Sequence, residues 1–151
     1  MRCFVGMVIC GMLMMTNPVR AQNTAGVEFM NSGTVAPKTL PFSEAVRVND
    51  TLYLSGQLGN LPGTLKLAPG GIREEARQTM DNISAVLGAH GYSMKNLVKC
   101  TVMLADIAEW PAFNEIYKTY FEPPYPARSA FAASGLALGA RVEVDCIAAL
   151  R

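Results

Sequence analysis

Two charged side chains stand in apolar surroundings where their chemistry could be used. Arg128 begins the apolar run Ser129-Ala130-Phe131, and Glu143 lies between Val142 and Val144. A guanidinium next to such a run needs a partner. The partner can be a surface acid, or the guanidinium can present an open fork to a ligand carboxylate. A strand glutamate can simply face solvent, or it can be a base that orients water. The pattern alone leaves both interpretations of each residue open.

The histidine and cysteine content excludes several other kinds of site. The chain has one histidine, His90, so a histidine-rich metal site is excluded, and a Ser-His-Asp triad would need that residue. His90 precedes Gly91 at the predicted end of a helix, where we expect its imidazole to bond the last helix carbonyls. The sequence has no CxxC pair and no glycine-rich phosphate-binding motif, so zinc and nucleotide folds lack support.

The first 21 residues have the layout of a secretory signal peptide. Arg2 is followed by an apolar run of 13 residues, 3–15, and then by Thr16-Asn17-Pro18. Val19-Arg20-Ala21 offers short side chains at the positions that signal peptidase reads, so we expect cleavage after Ala21. The run is shorter than the roughly 20 residues of a spanning helix, which makes an uncleaved anchor the weaker alternative. We expect residues 22–151 to be periplasmic or secreted, with no stable membrane insertion.

Removing this leader leaves 11 basic and 12 acidic residues, a formal charge of −1. Because no basic run or stripe remains, we do not expect nucleic-acid binding. The cysteines that remain, Cys100 and Cys146, each lie in an apolar, strand-like run, and we expect both to be buried free thiols. A disulfide between them is the alternative in an oxidising compartment.

The hydrophobic pattern of residues 22–151 predicts a single α+β domain. Strands are expected over residues 43–48 and 51–57, and Asn49-Asp50 between them favours a tight hairpin. Helical spacing predicts a helix from residue 72 to 90 and a second one from about 110 to 121. The other expectations are a loose lead-in over 22–37, a loop over 58–71 with a short strand near 64–67, and strands over 96–104, 128–133 and 140–150. In the predicted strand over residues 96–104, the side chains of Val98, Cys100, Val102 and Leu104 are expected on one face. This order suits a mixed sheet with both helices on one face.

Several short segments, taken in their order and spacing, resemble the Rid, or YjgF-type, family of imine deaminases. They are Pro41-Phe42-Ser43-Glu44-Ala45-Val46, Tyr53-Leu54-Ser55-Gly56-Gln57, Gly71-Ile72 with residues 76–83, Phe113-Asn114 with Tyr117, Pro126-Ala127-Arg128-Ser129 and Val142-Glu143-Val144. Each segment is weak by itself. Together they span residues 41–150, which is nearly all of the domain expected after the leader.

The resemblance implies a chorismate-mutase-like subunit that assembles as a homotrimer with clefts between subunits. It implies hydrolysis of 2-imino or enamine acids, of the 2-aminoacrylate and 2-iminopropanoate type, to 2-keto acids and ammonia without a metal or organic cofactor. By position, Arg128 matches the clamp for the substrate carboxylate and Glu143 the acid that activates water. The positions that match the substrate-binding cleft are Phe42, Ser55, Gly56, Asn114 and Ala130.

The sequence departs from the family pattern at Phe42, at Ala130, at Ala137, which follows Leu136 where a Leu-Pro pair is common, and in its leader. Phe42 stands where many members have tyrosine, so a hydroxyl is missing, and Ala130 stands where some have cysteine. Arg128 and Glu143 favour the enzyme. Phe42 and the predicted export favour the alternative, a non-catalytic trimer of the same fold that binds small carboxylates or acts like a chaperone. A ribonuclease role fits poorly with a formal charge of −1.

Overall fold

The protein forms one six-stranded mixed sheet in the computed structural model, which describes residues 26–150. In chain order the elements are β1 (Val27–Met30), β2 (Ala45–Val48), β3 (Thr51–Leu58), α1 (Ile72–Ala89), β4 (Leu97–Leu104), α2 (Trp110–Tyr117), β5 (Ala127–Ala132) and β6 (Val142–Ala149). Across the sheet the order is β1-β2-β3-β6-β4-β5. Only β4 and β5 run parallel among these neighbours.

Both helices contribute to a single core on one side of the sheet. Helix α1 packs on β3 and β6, and α2 packs beside α1. The buried apolar side chains of α1 recur at helical spacing, and they are Ala76, Met80, Ile83, Val86 and Leu87. They share a core with buried residues of α2 and of the strands. Gly91, at φ 82°, allows the chain to leave α1 in a left-handed conformation. The predicted α+β class, with two helices on one face of a mixed sheet, is confirmed.

Strand β6 shows which side chains face the helices. Its burial alternates along the strand, with Val142 and Val144 fully buried and Glu143 and Asp145 half-buried. Successive strand residues point to opposite faces of a sheet. The two acids therefore lie on the face that the helices do not cover, which we call the open face.

Three predictions about the strands were wrong. The lead-in contains a strand, β1, which pairs with β2; it is only four residues long and largely exposed, so its pattern carried no signal of burial. No strand forms at residues 64–67, where a single bridge joins Asn60 to Leu67. Val98 is exposed rather than aligned with Cys100, because the register of β4 against β6 shifts between Leu97 and Lys99.

The predictions for the cysteines and for His90 were also wrong. Cys100 and Cys146 are register partners on the adjacent strands β4 and β6. Their Cα atoms are 4.1 Å apart, and a disulfide joins them. The imidazole of His90 does not bond the helix carbonyls; its Nε2 lies 2.6 Å from Oε1 of the buried Glu44. Both errors concern partners that are distant in sequence.

The predicted signal peptide lies outside the described residues. Within residues 26–150, no helix has both the length and the apolar character needed to cross a membrane.

Candidate functional site

Arg128 is held against two aromatic rings and has no acidic partner in the described part of the chain. The residue lies on β5, and its guanidinium carbon is 4.6 Å from the ring centroid of Tyr117 and 5.7 Å from that of Trp110. Both rings belong to α2. Such cation–π contacts use the face of the guanidinium and leave its N–H donors free. No acid in residues 26–150 forms an ion pair with Arg128. The open-fork interpretation of Arg128 therefore fits its surroundings.

Two cavities flank Arg128. One, of about 460 Å³, is lined by Arg128 together with Ile107, Ala108, Trp110, Pro111 and Ala130. The other, of about 410 Å³, is lined by Arg128 together with Asn114, Tyr117, Lys118, Tyr125 and Pro126. Three predicted site residues therefore gather in one place, with Ala130 and Asn114 on different sides of Arg128.

Glu143 lies against Gly56 on the open face. It pairs in register with Leu58 of β3 and Met103 of β4. A Cβ atom at position 56 would stand 2.9 Å from the carboxyl carbon of Glu143, and nearer still to one of its oxygens. Only glycine permits this close approach. Gly56 is thus required by the carboxyl group beside it.

Ser55 connects this part of β3 to the segment that carries Phe42. Its hydroxyl donates to the carbonyl oxygen of Ser43 at 2.6 Å, and its amide donates to the carbonyl oxygen of Glu44 at 3.0 Å. The regular register of β3 against β6 is interrupted between Leu54 and Gln57, where Ser55 and Gly56 lie. Phe42, two residues before Glu44, leaves half of its side chain exposed (51%). Ser55, Gly56 and Glu143 form a second group, and Phe42 directly precedes Ser43, to which Ser55 bonds.

The two groups do not meet within one chain. Arg128 contacts the rings of α2 and is on the helix side of the sheet, whereas Glu143 is on the open face. Strand β4 lies between β5, which carries Arg128, and β6, which carries Glu143. In one copy of the chain the predicted site residues therefore form two separate groups, which we call the two half-sites.

The surroundings of Glu143 favour its protonated form more than water would. Burial raises the pKa of its carboxyl group, and the negative charge of Asp145 raises the pKa further. Asp145 is two residues along the same strand and faces the same way. A carboxylate with a raised pKa is a stronger base, which suits proton abstraction from water.

The sequence interpretation missed the roles of Trp110 and Tyr117. Both lie within the predicted second helix, and neither was expected to contact Arg128, whose guanidinium stacks on their rings. Their spacing of seven residues, two turns of one helix, was the available signal. The phenol of Tyr117 has no hydrogen-bond partner among residues 26–150, and burial raises its pKa while the charge of Arg128 lowers it.

The described residues contain no cluster of three or more His, Cys, Asp or Glu side chains that could hold a metal ion. The two half-sites offer the guanidinium of Arg128 and the carboxyl group of Glu143.

Comparison with known proteins gives consistent matches over the folded part. The family model described as "Endoribonuclease L-PSP" matches residues 33–150. A mouse protein named 2-iminobutanoate/2-iminopropanoate deaminase is 47% identical over 118 residues, which are 78% of this chain and 87% of that protein. The crystal structure of RidA from the Antarctic bacterium Psychrobacter sp. is 33% identical with a TM-score of 0.76, covering 82% of this chain and 99% of that one. The structure of E. coli TdcF with bound serine is 25% identical with a TM-score of 0.75, covering 82% and 99%.

Proposed function

This chain belongs to the Rid, or YjgF-type, family, whose sequence model is described as endoribonuclease L-PSP, and we propose that it hydrolyses 2-imino acids. The products are a 2-keto acid and ammonia. The mouse and human relatives are named 2-iminobutanoate/2-iminopropanoate deaminase. The observation that carries the proposal is the guanidinium of Arg128, which is stacked on Tyr117 and Trp110 and forms no ion pair with an acid of residues 26–150. A 2-imino acid offers the carboxylate that such a fork binds.

Arg128 fixes the position and the plane of the substrate. A bidentate contact to the carboxylate orients the adjacent C=N carbon, so that a water molecule can approach it from one side. The C=N carbon is already electrophilic. One oriented water molecule and one proton-transfer group are therefore enough, and no cofactor is needed.

Glu143 transfers the protons of the reaction. Its carboxylate takes a proton from water as the oxygen bonds to the C=N carbon, and the electron pair of the C=N π bond moves to the nitrogen. The carboxyl group returns this proton to the nitrogen, which gives a neutral carbinolamine. The carboxylate then takes the hydroxyl proton of the carbinolamine and passes it to the same nitrogen, so that the C–N bond breaks, ammonia leaves with the bonding electron pair, and the C=O bond forms. The raised pKa of Glu143 suits both halves of this cycle.

The separation of the half-sites supports a symmetric assembly. A head-to-tail arrangement of identical chains can place Glu143 of one copy opposite Arg128 of the next. The open face also carries apolar side chains, among them the exposed Tyr53 and Phe131, and another copy would cover them. We therefore propose a homotrimer in which each cleft takes Arg128, Asn114 and Ala130 from one copy and Phe42, Ser55, Gly56 and Glu143 from its neighbour.

Export is part of the proposal. The leader-like layout of residues 1–21 and the disulfide between Cys100 and Cys146 fit the same oxidising compartment. We propose that the mature protein begins at Gln22 and acts in the periplasm or outside the cell, on small 2-imino acids, without binding nucleic acid. N-terminal sequencing of the exported protein tests this, and a chain that retains Met1 in the cytosol would contradict it.

A non-catalytic trimer that binds small carboxylates is the second candidate. Phe42 favours it, because its exposed ring offers no hydroxyl to substrate or water. Arg128, held against the rings of Tyr117 and Trp110, would suffice to bind a carboxylate without turnover.

The two candidates are separated by adding the purified mature protein to a threonine dehydratase reaction, which releases 2-iminobutanoate. The enzyme hypothesis predicts faster loss of the imine and faster release of 2-oxobutanoate than in its absence, with Arg128→Ala as the inactive control. Binding of 2-oxobutanoate without any acceleration would favour the binding protein.

A further inference from the structure

We propose that the larger of the two cavities beside Arg128 selects 2-imino acids with a branched or aromatic apolar side chain over those with three or four carbons. The inference rests on the proposed function and names the substrate class of the same site. The cavity places an apolar wall directly next to the carboxylate clamp. It therefore suits a ligand with a carboxylate at one end and a hydrocarbon group at the other.

The wall of this cavity is apolar apart from Arg128. Its other side chains are Ile107, Ala108, Trp110, Pro111 and Ala130. Ile107 and Trp110 leave 52% and 38% of their surface exposed in the single chain. Exposed apolar surface of this kind, beside a free guanidinium, is typical of a ligand site in which one polar group orients an apolar ligand.

The acids closest in sequence to this wall are already engaged. Asp106 accepts a hydrogen bond from the amide of Ala108 at 2.9 Å. Glu109 accepts two hydrogen bonds from Nε of Arg141, at 2.8 and 3.0 Å, and also bonds Nη2 of the same residue. Neither carboxylate lines the cavity. A charged substrate side chain would therefore lose its hydration here without gaining an ionic partner from the described wall.

The size of the cavity points the same way. In the single chain the cavity is an open depression of about 460 Å³, which has room for a side chain larger than that of a three-carbon imino acid. Full burial of one methylene group increases binding by about a factor of four. The leucine-derived imine has three more carbons than the alanine-derived one. With these carbons partly buried, we expect its kcat/KM to be about tenfold higher.

The test compares imines that an L-amino-acid oxidase generates in place from leucine, phenylalanine and alanine, with semicarbazide as the competing trap. The mature protein should hydrolyse the leucine- and phenylalanine-derived imines with about tenfold higher kcat/KM than the alanine-derived one. Ala108→Leu fills the cavity and should bring this ratio close to one. Ala137→Leu makes the same change on another short helical turn, outside the cavity lining, and should leave the ratio unchanged.

A preference for the alanine-derived imine would overturn the inference while leaving the proposed function intact. So would an unchanged ratio in Ala108→Leu. Calorimetry with pyruvate and 4-methyl-2-oxopentanoate separates the remaining outcome. If the larger keto acid binds more tightly but no imine is hydrolysed, the cavity selects as proposed and the enzymatic function fails. If neither selection nor hydrolysis is seen, both proposals fail.

Discussion

Arg128 and Glu143 lie on opposite faces of one sheet, on strands that are separated by β4. Met103 of β4 pairs with Glu143 of β6 on one side and with Phe131 of β5 on the other. Phe131 is three positions beyond Arg128 on β5. A backbone layer therefore separates the guanidinium from the carboxyl group in every copy. If the two act on one substrate molecule, they must come from different copies.

Subunit complementation tests this directly. Arg128→Ala and Glu143→Gln should each be inactive as homotrimers. In trimers formed from an equal mixture, a cleft that takes Arg128 from one variant and Glu143 from the other is intact, and random assembly gives about one such cleft in four. Co-refolding the two variants should therefore restore about a quarter of the wild-type imine hydrolysis.

The control is a mixture of the same two proteins without unfolding, which should stay inactive unless subunits exchange. Co-refolded trimers without activity, alongside wild-type protein that recovers fully from the same treatment, would show that Arg128 and Glu143 do not meet across an interface.

The Arg128 and Glu143 variants should also differ in their effects on keto-acid binding and on turnover. Arg128→Ala should weaken 2-oxobutanoate binding by roughly a hundredfold, because it removes a charge-assisted bidentate contact. Arg128→Lys should rescue poorly, since an ammonium group lacks the planar fork. Glu143→Gln should keep keto-acid binding and lower turnover by about 10² to 10⁴. Calorimetry and stopped-flow imine assays measure the two effects. Wild-type turnover in Glu143→Gln would reduce Glu143 to a strand residue.

The elements with strong periodicity could be predicted from the sequence. Helix α1 has its apolar residues at helical spacing, and the β2–β3 hairpin has Asn49-Asp50 at its turn, with Asn49 at φ 52°. Both depend on residues close in sequence. Strand β1 could not be predicted, because it is a short edge strand held by pairing with β2 and not by a buried face of its own.

The site could be predicted only as a set of residues. Sequence pattern shows that Glu143 alternates with buried valines, but it does not show which strand lies beside β6. The same limit applies to Cys100 and Cys146, which were expected to be free thiols, and to His90 and Glu44, which are 46 positions apart in sequence. Each of these pairs depends on which strands and helices are neighbours in the fold. The spacing of residues along the chain does not show this.

Asp145 should contribute to the pH dependence of the reaction. Burial and the charge of Asp145 both raise the pKa of Glu143, so the base becomes ionised only at a higher pH than an ordinary glutamate. Asp145→Asn removes the charge and should lower that pKa, which moves the acidic limb of kcat/KM to lower pH. Asp50→Asn, in the exposed hairpin turn, is the matched control and should not move the limb. An unchanged limb in Asp145→Asn would mean that another group sets it.

The disulfide should make stability depend on the redox conditions. Because Cys100 and Cys146 are separated by 46 positions, their bond restricts a long loop of the unfolded chain, and its loss should cost about 2–4 kcal/mol. Chemical denaturation with and without dithiothreitol measures this. The Cys100→Ala/Cys146→Ala double variant should be less stable than the oxidised protein and insensitive to the reductant. Intact mass showing two free thiols in protein purified from the oxidising compartment would contradict the bond.

Glu44 should stabilise the fold in its ionised form. Burial alone would raise the pKa of its carboxyl group, but hydrogen bonds from Ser32 and His90 outweigh it and leave the pKa below the ordinary value of 4.5. A carboxyl group whose pKa is lower in the folded state contributes stability that is present above its unfolded pKa and is lost as the pH falls through its folded pKa. Glu44→Gln should therefore be less stable than wild type at neutral pH, and the difference in free energy of unfolding should shrink below pH 4.5. Glu115→Gln, at an exposed ion pair with Lys118, should show little difference at any pH. If the difference in free energy of unfolding between Glu44→Gln and wild type stays constant down to acidic pH, the charge of Glu44 does not stabilise the fold. Its shape and hydrogen bonds would then account for the difference.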